Sequence, residues 1–354
     1  MKTTKKILFG IALALTCGLA ATLKAQNLYV ANVESNTIGE YGLDGSTVNG
    51  TLISGLDYPS GLAISSNDLF VANTYGGTIG EYTTSGETVN ASLITGLGSP
   101  EGVAISGNNL FVADALSGTI VEYTTSGATV NASLISGLQG SPEGIAISGN
   151  DLFVAEQDGT VGEYTTSGAT VNASLISGLD FPVGIAISGT NLFVGNGGNN
   201  TIGEYTTSGA TVNAALITGL DGPFGIAISG NDLLVANWFS GTIGEYTTSG
   251  ATINASLISG LNEPSGIAIT ISSVPSSGPP RFTGISVSGS TLTLTATNGT
   301  VGGQYVLLES TNLTLPLNQW KPVLTNNFDS NGNLNLSTNI VNPNNPMVFY
   351  ILSP

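Results

Sequence analysis

Pro142-Glu-Gly-Ile-Ala-Ile-Ser-Gly-Asn-Asp-Leu-Phe-Val-Ala-Glu156, followed by Gly159-Thr-Val-Gly-Glu-Tyr164, is the stretch on which the fold turns. It reads as three short strands parted by tight turns. Val, Ile, Phe, Tyr and Thr fill the runs, and Gly and Asn sit where the chain must reverse. The wording recurs along the chain. The glutamate of Gly-Glu-Tyr, or its close variant, stands at Glu40, Glu81, Glu122, Glu163, Glu204 and Glu245, a step of 41 residues each time. The asparagine of Asn-Ala-Ser-Leu-Ile keeps the same step at Asn49, Asn90, Asn131, Asn172, Asn213 and Asn254. The prolines ahead of Gly-Ile-Ala-Ile are Pro59, Pro100, Pro142, Pro182, Pro223 and Pro264. One residue inserted near Gln139 is cancelled by one missing near Asp158, so length changes fall in loops.

Outward from that stretch, each repeat holds four strands. In the second unit they are Gly61 to Ser65, Asp68 to Asn73, Thr78 to Thr83 and Thr88 to Thr95. Four antiparallel strands per repeat of about 40 residues is the pattern of a β-propeller. The expected fold is all-β: a six-bladed β-propeller over residues 26–271 with a small β-sandwich-like C-terminal module. Asn27 to Asn32 begins the ring as a second strand and Gly266 to Thr270 ends it as a first strand. Pairing the two closes the ring and removes its open edges.

The N-terminus reads as a signal peptide over residues 1–25. Lys2, Lys5 and Lys6 precede the apolar run Ile7 to Leu15, and small residues follow. Cleavage fits after Ala25, and Ala20 is an earlier alternative. An uncleaved anchor would need a longer apolar run, and Leu15 and Thr16 make a poor lipobox around Cys17. The expected location is therefore secreted, periplasmic or cell surface. Cleavage removes the only cysteine and leaves two cations, Arg281 and Lys321, against 23 acids. Such a surface repels phosphate backbones and anionic bilayers, so no nucleic acid and no membrane partner are expected. No membrane span remains after cleavage, and a monomer is expected. Residues 272–281, rich in Ser, Gly and Pro, form a linker. Residues 282–354 alternate as strands, with Trp320 as the core aromatic.

The repeats resemble NHL repeats and, more widely, the six-bladed TolB-like and gluconolactonase-like propellers. The resemblance covers about Asn27 to Ile271. It implies the fold; activity has to come from a site. The basic residue usual after the loop between the second and third strands of an NHL repeat is absent here, which argues against the RNA binding known for some members.

The chain has no histidine, hence no imidazole base and no catalytic triad of the serine-hydrolase kind. Comparison of the six repeats shows near-identical third and fourth strands. Variation falls in two connections that share one end of each blade, so one face of the disc carries the individuality. That face collects Tyr58, Tyr75, Phe181, Phe224, Trp238 and Phe239, with Asn73, Asn196 and Asn237 at strand ends, as candidates for ligand contact. Counting back from the two-residue turn places Glu101 opposite Asp114 and Glu143 opposite Glu156, with Asp158 nearby. The same count sets Ser60 opposite Asn73, Val183 opposite Asn196, Phe224 opposite Asn237 and Ser265 opposite Asn32. Like charges paired across a sheet need solvent, protonation or a cation. Calcium takes such oxygen ligands, and the gluconolactonase-like resemblance implies a divalent metal at this end. Glu101, Asp114, Glu143 and Glu156 are thus the candidate Ca²⁺ ligands; acids pointing into water is the simpler alternative.

The six repeated glutamates are scaffold positions and the six tyrosines beside them inter-blade packing. The repeated Asn-Ala-Ser is structural rather than glycosylated. The expected function is a non-enzymatic, exported binding or scaffold protein whose variable face takes a protein or glycan. The alternatives are a Ca-dependent, lactonase-like hydrolase and a structural cell-surface protein.

Overall fold

The computed structural model describes residues 26–270, 281–288, 291–297, 304–310, 319–327, 334–338 and 349–353. The signal-peptide segment and nearly all of the linker lie outside these residues. The chain divides into two units, Gln26–Thr270 and one that holds the described strands from residue 281 onward.

The first unit is a six-bladed β-propeller. β1 (Asn27–Asn32), β2 (Thr37–Gly42) and β3 (Thr47–Ser54) open the ring. Five four-stranded blades follow: β4 (Pro59–Ser65) to β7 (Thr88–Thr95), β8 (Pro100–Ser106) to β11 (Thr129–Ile135), β12 (Pro142–Ser148) to β15 (Thr170–Ser177), β16 (Pro182–Ser188) to β19 (Thr211–Ile217) and β20 (Pro223–Ser229) to β23 (Thr252–Ser259). β24 (Pro264–Ile269) then pairs antiparallel with β1, matching Leu28 with Ile269 and Val30 with Ile267, which completes the first blade. Thr270 N donates to Asn27 O at 2.9 Å, and Asn27 N donates to Thr270 Oγ1 at 2.9 Å, so the closure is tied at its outer end too.

Apolar residues of the second and third strands fill the space between blades. The tyrosine after each repeated glutamate is buried and enters its neighbour's core. Tyr82 packs with Ile38 and Ile53 of the preceding blade. Tyr41 does the same across the closure, with Ile243 and Ile258. The repeated glutamates are held by their own blades. In alternate blades an asparagine two residues before the central strand residue donates to one: Asn27 to Glu40 at 2.6 Å, Asn109 to Glu122 at 2.8 Å and Asn191 to Glu204 at 2.7 Å. The other three blades have Asp68, Asp151 and Asp232 there. In those blades burial first, and the neighbouring aspartate second, raise the pKa of Glu81, Glu163 and Glu245.

The inner strands set the geometry of the ring. Each carries Pro-x-Gly at its start, and each glycine lies against the next blade's backbone. A Cβ on Gly61, Gly102, Gly144, Gly184, Gly225 or Gly266 would fall inside 3.0 Å of the carbonyl oxygen of Glu101, Glu143, Val183, Phe224, Ser265 or Ser60, respectively. The last of these contacts crosses the closure. Close approach is what glycine permits here, and no other residue does.

In the second unit, β25 (Arg281–Ser288), β26 (Thr291–Thr297) and β29 (Leu334–Thr338) form one antiparallel sheet around β26. β27 (Gln304–Ser310) is central to another, with β28 (Lys321–Asn327) and β30 (Phe349–Ser353). Leu294, Leu307, Trp320 and Leu334 are buried. No helix among the described residues is long and apolar enough to cross a membrane.

Gly184→Ala should lower stability by about 2 kcal/mol or more, because its Cβ has only backbone to displace. Gly50→Ala is the control. Its Cβ would meet nothing nearer than Thr47 Cγ2 at 3.7 Å, and it should gain about 0.5 kcal/mol. Thermal melting of the two variants reads both; equal shifts would remove the close-approach account.

Candidate functional site

The register of the inner strands differs from the sequence expectation by a bulge. Pro59, not Ser60, is opposite Asn73; Pro100 is opposite Asp114; Pro142 is opposite Glu156; Pro182, Pro223 and Pro264 are opposite Asn196, Asn237 and Asn32. Pairing then skips to the third residue after each proline. Counting from the hairpin turn requires an unbroken ladder, and the Pro-x-Gly start breaks it. Proline has no amide to donate, and the extra residue re-aims the strand.

The bulge splits the four candidate calcium ligands. The residue between proline and glycine points into the central channel, so Glu101 and Glu143 line it with Ser60, Val183, Phe224 and Ser265. Asp114 and Glu156 turn the other way, into loop backbone. Asp114 accepts from Gly98 N at 2.9 Å and Ser99 N at 2.8 Å; Glu156 accepts from Gln139 N at 3.0 Å and Gly140 N at 3.3 Å. Glu156 is one methylene longer than Asp114, and the loop that it holds is the one with the inserted residue near Gln139. Asp158 is exposed and accepts from Thr160 Oγ1 at 2.8 Å. Among the described residues no three His, Cys, Asp or Glu side chains form a group that could hold a metal ion. The four carboxylates are therefore two channel acids and two loop anchors.

Asn73, Asn196 and Asn237 occupy the anchor position in other blades. They are buried, at 2–4% exposure, and each donates its Nδ2 at 3.3 Å to the threonine that opens the next strand, Thr78, Thr201 or Thr242. The structure thus places them beneath the rim.

The aromatic candidates divide as well. Tyr58 and Tyr75 stack at 4.1 Å between centroids; Phe224 and Trp238 lie 4.7 Å apart; Tyr58 and Trp238, from blades on either side of the ring closure, come within 6.3 Å. These four form one ledge beside the channel mouth. Phe239 is 71% exposed and covers Gly222, and Phe181 is 40% exposed; neither has a ring contact with the ledge. Tyr58 has φ +59°, a left-handed conformation that costs a bulky residue about 1–3 kcal/mol. Its amide donates to Asn36 Oδ1 at 2.8 Å, which holds the loop in that shape.

The ledge and the channel acids are electrostatically joined. Burial, then Tyr75, Glu263 and Glu101, push the Tyr58 hydroxyl up to about 12. Glu101 accepts from Ser60 Oγ at 2.7 Å, yet burial still raises its pKa. Glu143 is 7% exposed, and Gln157 Nε2 donates to it. Burial, and next the negative charge of Glu101, push Glu143 up to about 8. No internal cation offsets this: residues 26–270 contain no Lys, Arg or His, and 21 acids.

Residues 12–274 match the virginiamycin B lyase family, which is most of the chain. The chain belongs to that family. Its six-bladed propeller is similar to a chain in the crystal structure of a nidogen/laminin complex: TM-score 0.60, 18% identity, covering 70% of this chain and 99% of that one. It is also similar to a catalytically inactive virginiamycin B lyase from Staphylococcus aureus with quinupristin, at TM-score 0.49 and 22% identity, covering 79% of this chain and 95% of that one. No curated protein matches it significantly. The propeller fold is what the NHL and gluconolactonase-like resemblance shares with these findings.

Sequence reasoning left Ser60, Val183, Ser265 and Gln157 out of the candidate site. The recurring Pro-x-Gly was the available signal: a position that varies as Ser, Glu, Glu, Val, Phe, Ser between two invariant residues is a variable side chain on a fixed bend.

Glu143 sets a test by linkage. Its folded pKa of about 8 lies above the ordinary 4.5, so the folded state holds the proton more tightly. The stability conferred is complete below about pH 4.5 and is lost as the pH rises through about 8. Glu143→Gln should match the parent in denaturant melts near pH 4 and exceed it by about 2–4 kcal/mol near pH 9. A constant difference across that range would contradict the buried, unpaired acid.

Proposed function

We propose that this propeller is an exported binding protein, with its ligand seated over the channel mouth on the variable face. The observation that carries this is the convergence of Tyr58, Tyr75, Phe224 and Trp238 from two sides of the ring closure, next to Glu101 and Glu143. Aromatic ledges of this size offer large, rigid contact area at small entropic cost. Two features support binding over catalysis. The chain has no histidine, and its only cysteine is Cys17. Asp114 and Glu156 are engaged by loop amides, which takes away the carboxylate quartet on which a Ca-dependent, lactonase-like hydrolase would rest.

The fold places no restriction between protein and glycan; the charge does. A propeller with 21 acids and no cation gains nothing electrostatically from a neutral glycan, and much from a basic protein surface. A protein ligand is the favoured form of the proposal, and a secreted, periplasmic or surface location goes with it.

Family membership supports a second reading, a lyase, in which the channel pair would share proton transfer: Glu143 holding a proton and Glu101 receiving one. The two readings part on one experiment. Peptide and oligosaccharide panels are titrated against the parent and Trp238→Ala, and the bound ligand is recovered and analysed. Recovery of the ligand unchanged, with affinity falling about tenfold in Trp238→Ala, supports binding. Recovery of a product whose formation stops in Glu143→Gln makes it an enzyme.

A further inference from the structure

We propose that the ligand is cationic: a basic protein segment that lays one lysine or arginine stem on the aromatic ledge and brings its charged end to Glu101 and Glu143. This rests on the channel mouth being the ligand site, and adds the chemistry of what enters it.

Size comes first. The channel holds about 130 Å³ of space open to water, room for on the order of ten waters at the ~10–15 Å³ of such space that each needs. The ammonium or guanidinium end of a lysine or arginine fits within it, with the rest of the ligand left on the face.

The lining is asymmetric in a way that suits such an end. Among the Pro-x-Gly positions, Ser265, Ser60, Glu101 and Glu143 follow one another around one side and Val183 and Phe224 occupy the other, while an aliphatic residue of each blade, from Leu62 to Ile267, lines the channel all round. A long side chain with an apolar stem and a charged tip can contact both halves at once. Beside the channel, Tyr58 and Trp238 lie 6.3 Å apart, with Tyr75 stacked on Tyr58 and Phe224, which also lines the channel, tilted against Trp238. Aromatic faces attract cations electrostatically, indole most strongly. The ledge and the acids thus suit successive parts of one side chain, the aromatics its stem and the carboxylates its charged tip.

The rest of the propeller makes the demand general. Its acids have no intramolecular partner of opposite sign, since Lys, Arg and His are absent from residues 26–270. An anionic ligand meets repulsion from every blade. A basic one is drawn in, most strongly where two acids share a low-dielectric mouth.

Glu143 gives the proposal a pH signature. The groups that face it are Glu101 from β8, uncharged Val183 from β16, and Gln157 from the turn that follows its partner strand. Glu101 is the only one that titrates, and the pair has to give up its protons for a cation to be held fully. Affinity for a lysine ligand should rise as the pH climbs from about 6 to about 9, while the lysine stays charged below about 10.

The test uses two peptides that differ in one charge, acetyl-Gly-Phe-Lys-Phe-Gly-amide and its norleucine counterpart. Both are titrated calorimetrically against the parent, Glu101→Gln/Glu143→Gln and Trp238→Ala. The lysine peptide should bind about tenfold more tightly or better. That margin should shrink to near nothing in the double glutamine variant and fall with added salt, and Trp238→Ala should weaken both peptides. Melting curves confirm that each variant is folded. Equal affinity of the two peptides, still lost in Trp238→Ala, overturns the cationic ligand and leaves the site standing. No binding of either peptide at millimolar concentration, or binding that Trp238→Ala does not alter, overturns the site and the cation together.

Discussion

Everything in the propeller depends on a ring of contacts in which the backbone of one inner strand sits where a side chain would otherwise be. Six glycines, Gly61, Gly102, Gly144, Gly184, Gly225 and Gly266, each receive the neighbouring blade's carbonyl. Without that approach the inner strands would stand farther apart and the channel would widen. The tyrosines that reach into adjacent cores would then lose their packing. The chain supplies six such contacts only because Gly266 meets Ser60 across the junction of its first and last propeller strands. Closure by β24 on β1 is therefore continuous with the packing elsewhere in the ring.

The same three residues that bring the blades together also build the site. Proline ends the ladder, glycine admits the neighbour, and the residue between them is left facing the axis. One position per blade then sets the chemistry of the channel: Ser60, Glu101, Glu143, Val183, Phe224 and Ser265. Around it the scaffold is repeated almost without change, so a single substitution alters the lining with little effect on the fold. A second position, at the end of the next strand, adjusts the loop above. Where it is Asn32 or Asn196, the Oδ1 finds no partner. Where it is Asp114 or Glu156, two backbone amides are gathered on one carboxylate. In those two blades the residue before proline, Ser99 or Ser141, avoids the left-handed conformation taken by Glu263, Tyr58, Phe181 and Gly222 in the others.

Much of this was legible in the sequence, and the losses have physical causes. The strands Asp68 to Asn73, Thr78 to Thr83 and Thr88 to Thr95 coincide with those observed, because Gly and Asn turns bound them on both sides. The inner strand starts two residues earlier than expected, at Pro59. Proline and glycine count against strand in any local reading, while here both lie within one, at a bulge. That single bulge moved Glu101 and Glu143 away from Asp114 and Glu156. It was beyond period-two counting because the ladder on its far side is regular. The aromatic ledge was legible as composition but not as a cluster. Tyr58 and Trp238 are four blades apart in the sequence and neighbours only once the ring closes, whereas Phe181 and Phe239, equally prominent in the sequence, stay apart.

The site also bears costs of its own. Glu101 and Glu143 share a buried mouth with no cation to offset them, and Tyr58 is held at positive φ by Asn36. Each lowers the stability of the fold, by an amount of order 1 kcal/mol or more. The identical strands around them show how readily this sequence settles into an unstrained alternative. Serine at the channel position of two blades and glycine at the position of Tyr58 in another are already present in the molecule. Repeats that could have been uniform differ where uniformity would have been cheapest. Strain at Tyr58 and a buried acid pair lying together at one mouth are what a site under selection for a ligand would retain.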